Sequence, residues 1–114
     1  MSGSGIDVVI IGGGVGGYVS ALKGAQLGLR VVLVEKDQIG GVCLNRGCIP
    51  TKALVASAQI FEYLKNVEQY GLSAETISYN FKKIIDRKNR VVHRLTQGVQ
   101  SLLKARKVQV IQGE

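Results

Sequence analysis

The sequence contains few of the side chains on which metal centres and disulfide scaffolds depend. Its 114 residues include two cysteines, one histidine, one proline and no tryptophan. A structural zinc site takes four nitrogen or sulfur ligands, and His93 lies far along the chain from Cys43 and Cys48. A metal site would need ligands from elsewhere, so we predict no metal centre in this chain.

Long apolar runs and targeting features are also absent from the sequence. No run approaches the ~18 apolar residues that a transmembrane helix needs, so we expect no membrane association. Residues 1–5 lack the basic segment and cleavage site of a signal peptide, and we treat them as a candidate leader outside the domain. We therefore expect a cytoplasmic protein, in which a cysteine pair is more often catalytic or redox-active than structural.

Acidic residues are outnumbered by basic ones: 15 Lys and Arg against 8 Asp and Glu give a net charge of +7. Much of the excess lies in the last third of the chain, at Lys82, Lys83, Arg87, Lys88, Arg90, Arg94, Lys104, Arg106 and Lys107. These residues fall mostly between apolar positions at helical spacing, with few aromatic residues and no recognised nucleic-acid motif. We interpret them as a solvent-exposed helix face and predict no nucleic-acid partner.

The first 35 residues predict a βαβ unit. A β-branched apolar run at residues 6–11 ends in three glycines and predicts a buried strand. A helix over residues 15–27, stopped by Gly28, is predicted by apolar residues at helical spacing: Tyr18, Ala21, Leu22 and Ala25. Residues 30–35 predict a second buried strand. Strands joined by a helix are parallel with a right-handed crossover, so the predicted fold class is α/β with a Rossmann-like parallel sheet.

Two further helices and a third strand are predicted downstream. The first helix follows the cysteines and ends at Gly71, with one face formed by Ala53, Ala56, Ile60, Leu64 and Val67. Residues 72–80 predict a loop with Asn80 as the N-cap of the next helix. That helix runs to about Ala105 and packs through residues near a seven-residue spacing: Phe81, Ile85, Val92, Leu95, Val99 and Leu102. A third strand is suggested by Val108, Val110 and Ile111.

The glycine-rich turn after the first strand has the spacing of a dinucleotide-binding loop. Residues 12–17 read GGGVGG and satisfy G-x-G-x-x-G between a predicted strand and a predicted helix. Gly12 would allow the tight turn, Gly14 the approach of a pyrophosphate, and Gly17 the close packing of helix on strand. Glu35 ends the second strand, where its carboxylate can accept hydrogen bonds from ribose hydroxyls. The pattern predicts a bound dinucleotide without separating FAD from NAD.

The two cysteines lie in the segment GGVCLNRGCIPTK at residues 40–52. Taken alone, the pair could form a structural disulfide, half of a metal site or two inert thiols. On an ideal helix, Cα atoms five residues apart are separated by ~8.7 Å, which exceeds the ~7 Å limit for a disulfide. A Cys43–Cys48 disulfide therefore requires a loop or a distorted turn, for which Gly47 supplies the flexibility. A small ring on such a turn would be readily reduced, which favours thiol–disulfide exchange.

The residues after the second cysteine favour a redox dithiol. Pro50 suits the first turn of a helix. Cys48 would then lie at the helix N-terminus, where the helix dipole stabilises a thiolate. Lys52 adds a positive charge one turn further on.

This segment resembles the active-site segment of the flavoprotein disulfide reductases, and the similarity covers essentially the whole chain from Ile6. Within that family, LN at residues 44–45 and IPTKAL at residues 49–54 are most similar to the dihydrolipoamide dehydrogenase branch. The glutathione and mercuric reductases carry related but different residues there. The resemblance implies an FAD enzyme in which residues 6–114 are the N-terminal part of the FAD-binding domain. The rest of that domain, the NAD domain and the dimerisation domain would be absent from this chain.

The resemblance also implies how the dinucleotide is bound. The ADP half of FAD would be held by Glu35 and by the glycine loop, represented by Gly12, Gly14, Val15, Gly16 and Gly17. Lys36 would lie near the adenosine. The diphosphate and ribityl chain would pass the residues from Gly40 through Gly41 and Val42 to Cys43.

The same resemblance implies a route for electrons. Cys43 would be the interchange thiol that reacts with the substrate, and Cys48 would face the flavin as the charge-transfer thiolate. Lys52 would lie by flavin N5. Electrons would pass from dihydrolipoamide to the Cys43–Cys48 disulfide and then through FAD to NAD⁺.

The implied partners are the lipoyl domain of a 2-oxo acid dehydrogenase or glycine cleavage complex, and a second copy in a homodimer. The family's catalytic His–Glu pair comes from the dimerisation domain of the other subunit, and His93 does not match it. We therefore expect the 114 residues alone not to turn over lipoamide. The alternatives are a non-catalytic dinucleotide-binding half-domain or a segment of a related glutathione or mercuric reductase. A bare binding module has no use for the cysteine segment with Lys52, which favours the enzyme.

Overall fold

A computed structural model describes residues 5–114, so all but the last residue of the candidate leader lies outside the described residues. Within residues 5–114 there are three strands and four α-helices, with one short 3₁₀ turn at Val67–Tyr70. Their bounds, in chain order, are β1 Val8–Ile11, α1 Val15–Gln26, β2 Val31–Glu35, α2 Gly41–Arg46, α3 Cys48–Lys65, α4 Phe81–Ala105 and β3 Gln109–Gln112. Among these residues, no helix is both long and apolar enough to cross a membrane.

The three strands form one parallel sheet in the order β1-β2-β3. Val8 lies opposite Val31 in the first pairing, and Val32 lies opposite Gln109 in the second. The predicted α/β class and the βαβ unit are confirmed as a partial Rossmann-like fold. Because β2 is the central strand, its residues Val31, Val32 and Leu33 are buried.

Two helices cover one face of this sheet. Ala21 of α1 and Leu103 of α4 are fully buried against Leu33. The other predicted apolar residues of α1, Tyr18, Leu22 and Ala25, pack around the same core. This packing fixes the start of α1, and with it the glycine loop, at the carboxyl end of β1.

The first strand is less buried than its sequence predicts. Val8 and Ile10 pack against the core, but Val9 is 58% exposed and Ile11 is 88% exposed. Successive side chains of a strand point to opposite faces, and in the described part of the chain α1 and α4 cover only the face that carries Val8 and Ile10. The prediction of a buried strand therefore holds for one face of β1 and is wrong for the other.

The long helices α3 and α4 pack against each other, and Arg87 Nη1 donates to the Ala53 carbonyl at 3.0 Å. Asn80 caps α4 as predicted, since its side-chain oxygen accepts from the Lys83 amide at 3.0 Å.

The helix after the cysteines, α3, ends at Lys65 rather than Gly71, and the short 3₁₀ turn fills the interval. Its predicted packed face is buried at Ala53, whereas Ile60 is exposed.

An ion pair joins the starts of the two adjacent strands. The Asp7 carboxylate accepts from the Arg30 backbone amide at 2.7 Å and from the Arg30 guanidinium at 2.9 Å. These bonds lower the pKa of Asp7 from 3.8 to about 2. A depressed carboxyl pKa contributes stability above the unfolded value, and that stability is lost as the pH falls through the folded value.

We therefore expect Asp7→Asn to flatten the pH dependence of stability between about pH 4 and pH 2, the window set by the lowered pKa of Asp7. At neutral pH the variant should be the less stable protein, because the charged pair is lost. Urea unfolding midpoints at several pH values measure both effects, with Asp86→Asn as a charge-matched control. If the urea midpoints of Asp7→Asn and the parent protein changed equally with pH, the pH dependence could not be assigned to the Asp7 carboxyl.

Candidate functional site

The glycine loop closes a tight turn between β1 and α1. Gly12 has φ +98°, a left-handed conformation that favours glycine. A Cβ at Gly17 would lie 1.7 Å from the Gly12 carbonyl oxygen, so the first turn of α1 approaches the loop more closely than any side chain permits. The helix begins at Val15 with Gly14 as its N-cap and carries no acidic residue in its first turn. Its first N–H groups lack intrahelical acceptors and suit an anion.

Glu35 ties the end of β2 to this loop. One carboxylate oxygen accepts from the Gly13 amide at 2.6 Å, and the other accepts from the Asp37 amide at 2.7 Å. The amides of Asp37 and Gly13 hold the pKa of the Glu35 carboxyl below its ordinary value. The group therefore stays ionised at neutral pH, and each oxygen keeps a free lone pair for a further donor.

A cleft of about 360 Å³ opens beside Glu35 at the carboxyl ends of the strands. It is lined by Ile11, Gly12, Val34, Glu35, Lys36, Gly113 and Glu114. The structure thus brings together three residues that the sequence assigned to the nucleotide: Gly12, Glu35 and Lys36. A carboxylate beside an open glycine backbone matches the needs of a ribose next to a diphosphate, so these residues fit a dinucleotide.

A second pair of glycines packs directly against the first loop. The Gly40 amide donates to the Gly13 carbonyl at 2.8 Å. Gly40 and Gly41 both have positive φ, and a Cβ at Gly41 would lie 2.8 Å from the Gly14 Cα. The glycines at 40–41 therefore meet the glycine loop in space, although the contacting pairs, Gly13 with Gly40 and Gly14 with Gly41, are each 27 positions apart in sequence.

Cys43 and Cys48 form a disulfide across a break between two helices. Cys43 lies in α2, Cys48 is the first residue of α3, and Gly47 between them has φ −128° and ψ −106°. The two Cα atoms are 4.6 Å apart, far closer than a continuous helix would allow. The prediction that the pair requires a loop or a distorted turn is confirmed in its second form, since the backbone is distorted at Gly47 between two helices.

The residues that follow occupy the positions expected of them. Cys48 is exposed at the N-terminus of α3, and Pro50 lies in the first turn. Lys52 is exposed one turn further on. Val15 and Val42, two other predicted site residues, are also exposed, at 43% and 69%. No group of three or more His, Cys, Asp or Glu side chains in residues 5–114 is arranged to hold a metal ion.

Three residues of this region escaped the sequence analysis. Gly113 and Glu114 line the cleft because β3 brings them beside the glycine loop. Asn45 lies between the cysteines, and its side-chain amide donates to the carbonyls of Ile39 and Gly41. The sequence could have indicated this role for Asn45, because an asparagine side chain can bond to the backbone carbonyl four residues earlier, here that of Gly41.

A family comparison agrees with this geometry. The sequence profile termed "Pyridine nucleotide-disulphide oxidoreductase" matches residues 6–114, which is every described residue but one. The chain belongs to this family. The disulfide between α2 and α3 and the glycine loop are both consistent with a family named for a nucleotide and a disulfide.

Curated relatives within this pyridine nucleotide-disulphide oxidoreductase family are highly similar. A dihydrolipoyl dehydrogenase of Bacillus subtilis is 48% identical over 107 residues, and one of Zymomonas mobilis is 49% identical over 107 residues. A dihydrolipoyl dehydrogenase of Staphylococcus aureus is 49% identical over 108 residues. These alignments cover 94–95% of this chain and 23% of each relative, so the chain spans about a quarter of their length.

Proposed function

We propose that this chain belongs to a flavin-dependent dihydrolipoyl dehydrogenase that passes electrons from a dithiol through the Cys43–Cys48 disulfide and FAD to NAD⁺. The observation that carries the proposal is the disulfide between α2 and α3, in a segment joined to the glycine loop through Gly40 and Gly13. High identity to relatives named dihydrolipoyl dehydrogenase supports it.

The residues proposed to hold the dinucleotide would line one continuous path. Glu35 would accept from the ribose hydroxyls, with Lys36 beside it in the cleft. The N–H groups at the start of α1, including those of Val15, Gly16 and Gly17, would face the diphosphate together with Gly12 and Gly14. The path would continue along Gly40, Gly41 and Val42 to Cys43. When bound, FAD would supply the hydride transfer to NAD⁺ that no side chain of this chain can perform.

The proposed exchange at the cysteines balances without any further reactant. A substrate thiolate attacks the Cys43 sulfur, the Cys43–Cys48 bond breaks, and Cys48 leaves as a thiolate. The second substrate thiol then displaces Cys43 from the mixed disulfide and closes the substrate disulfide. The two electrons lost by the substrate reduce the Cys43–Cys48 bond, one proton remains on the Cys43 thiol, and the other passes to solvent. A low-pKa thiol is the better leaving group, and the N-terminus of α3 with Lys52 nearby favours the thiolate form of Cys48.

The partners and location follow from the same proposal. The dithiol would be dihydrolipoamide on the lipoyl domain of a 2-oxo acid dehydrogenase or glycine cleavage complex. The protein would act as a cytoplasmic homodimer with NAD⁺ as co-substrate. Glutathione disulfide and Hg²⁺, the substrates of related reductases, are the competing candidates.

The test is spectroscopic. We expect the full-length protein to purify yellow and, on reduction by two electrons, to develop a long-wavelength thiolate-to-flavin absorption band. Assays with lipoamide, glutathione disulfide and Hg²⁺ as electron acceptors from NADH should show turnover with lipoamide. A protein that never retains flavin, or one that turns over only glutathione disulfide or Hg²⁺, would overturn the proposal.

A further inference from the structure

Asn45 lies between the two cysteines and contacts the loop that precedes them. Its side-chain nitrogen donates to the Gly41 carbonyl at 2.9 Å and to the Ile39 carbonyl at 3.2 Å. Both bonds are part-buried, and the adjacent side chains of Ile39 and Leu44 are buried at 6% exposure. Water therefore has limited access to these two carbonyls. The Gly41 carbonyl also takes part in the backbone bonding of α2, so loss of the Asn45 side chain would leave the Ile39 carbonyl poorly satisfied.

The chemistry of the partners fixes the orientation of this amide. Both atoms that face the Asn45 terminal group are carbonyl oxygens, which can only accept. The group between them must therefore be the NH₂ end, since an oxygen there would face two acceptors. Aspartate has the same shape but no such donor when it is ionised.

The two carbonyls bracket the residue that holds the glycine loop. Gly40 lies between Ile39 and Gly41, is buried, and donates its amide to the Gly13 carbonyl at 2.8 Å. Gly13 is held at its amide as well as at its carbonyl, because the Gly13 amide donates to the Glu35 carboxylate at 2.6 Å. Hydrogen bonds therefore link Glu35 to Gly13 and Gly13 to Gly40, and the peptide that joins Ile39 to Gly40 continues the series to Asn45, between the cysteines.

We propose that Asn45 is a positioning residue that couples the glycine loop to the Cys43–Cys48 segment. By holding the carbonyls on both sides of Gly40, it keeps the Gly40 amide aimed at Gly13 and fixes α2, with Cys43, relative to the loop. The importance of this positioning for redox chemistry rests on the proposed function, whereas the contacts of Asn45 do not depend on it.

A second asparagine supplies a matched control. Asn66, just after α3, donates its side-chain amide to the Glu62 carbonyl at 2.9 Å, four residues earlier. This is the same bond as that from Asn45 to Gly41, but it is exposed and lies at the opposite end of α3 from Cys48. If any lost asparagine–carbonyl bond changed the properties of the cysteine segment, Asn45→Ala and Asn66→Ala should both change them. If the coupling through Gly40 is responsible, only Asn45→Ala should.

Amide hydrogen exchange in the full-length protein tests the contact. We expect Asn45→Ala to accelerate exchange at the Gly40 amide roughly five- to tenfold, because the variant loses both side-chain bonds that support the local structure around Gly40. Asn45→Asp should accelerate it at least as much, and Asn66→Ala should leave it unchanged. Equal Gly40 exchange in Asn45→Ala and the parent protein would overturn the proposal.

The thiol–disulfide equilibrium with glutathione tests the coupling in the same proteins, at a temperature where all are folded. Because Asn45 helps to hold the cysteines in place, Asn45→Ala should lower the equilibrium constant for disulfide formation roughly five- to tenfold, and Asn66→Ala should not. An unchanged constant in Asn45→Ala would overturn the coupling even if that variant were less stable. Neither measurement uses NADH or lipoamide, so failure here is distinguishable from failure of the proposed function.

Discussion

Replacing Cys43 or Cys48 by serine should lower lipoamide turnover by about three orders of magnitude or more, since each variant removes one of the two sulfurs between which the exchange occurs. Serine is close to cysteine in size, and Cys48 is exposed while Cys43 is half-buried, so both variants should remain folded. Steady-state assays of the full-length protein with NADH and lipoamide measure the loss, and flavin absorbance reports folding.

The two variants should differ in their spectra, and that difference separates the proposed roles. Cys43→Ser leaves Cys48 as a permanent thiol at the N-terminus of α3, so its oxidised protein should already show a long-wavelength thiolate-to-flavin band. Cys48→Ser leaves only Cys43 and should lack that band in both redox states. The reverse pattern would exchange the two roles, and turnover near the parent rate in either variant would remove the disulfide from the mechanism.

Local spacing carried most of the information that the sequence held about the site. The glycine loop, the acid at the end of β2 and the helix start at Cys48 each depend on residues that are near neighbours in the chain. Those neighbours determine turn geometry and helix ends directly. The break at Gly47 was also predictable, because a disulfide across five residues cannot form on a regular helix.

Contacts between distant segments were beyond the reach of spacing. The bond from Gly40 to Gly13 and the contacts of Asn45 depend on the positive φ of Gly40 and Gly41, which sets where the neighbouring carbonyls point. A sequence shows that glycine permits such angles but not that the chain adopts them. The exposure of Ile11 was also beyond local spacing. An apolar side chain predicts that a face of the strand is covered, but which segment covers it depends on contacts distant in sequence.

The packed face of α4 was only partly predicted, for a geometric reason. A strict seven-residue spacing from Phe81 leads to Leu102, yet Leu102 is 54% exposed and its neighbour Leu103 is fully buried. An α-helix has 3.6 residues per turn, so a seven-residue repeat drifts by about 20° per repeat. Phe81, where that repeat starts, is itself 65% exposed, whereas Ile85, Val92 and Val99 are half-buried. Leu103 follows Ile85 by five full turns of an α-helix, so Ile85 and Leu103 lie on the same face.

Replacing Gly17 by alanine should have the largest effect on stability of any substitution in the glycine loop. The new Cβ would lie 1.7 Å from the Gly12 carbonyl oxygen and 2.8 Å from the Gly12 carbonyl carbon, which are backbone atoms that cannot rotate aside. The start of α1 would have to move away from β1, at a cost of about 3 kcal/mol. Because that movement reshapes the loop, we also expect the full-length protein to retain little flavin.

Gly98→Ala is the matched control for this prediction. Gly98 lies within α4, and a Cβ there would meet no atom within 4 Å. Alanine in a helix interior is favoured over glycine by about 0.5–1 kcal/mol, so this variant should be slightly more stable and should keep its flavin. Urea midpoints and flavin content of both variants test the pair. If Gly17→Ala matched Gly98→Ala in both measurements, the loop would tolerate a side chain at position 17, and the close approach of α1 to Gly12 could not be what shapes the dinucleotide site.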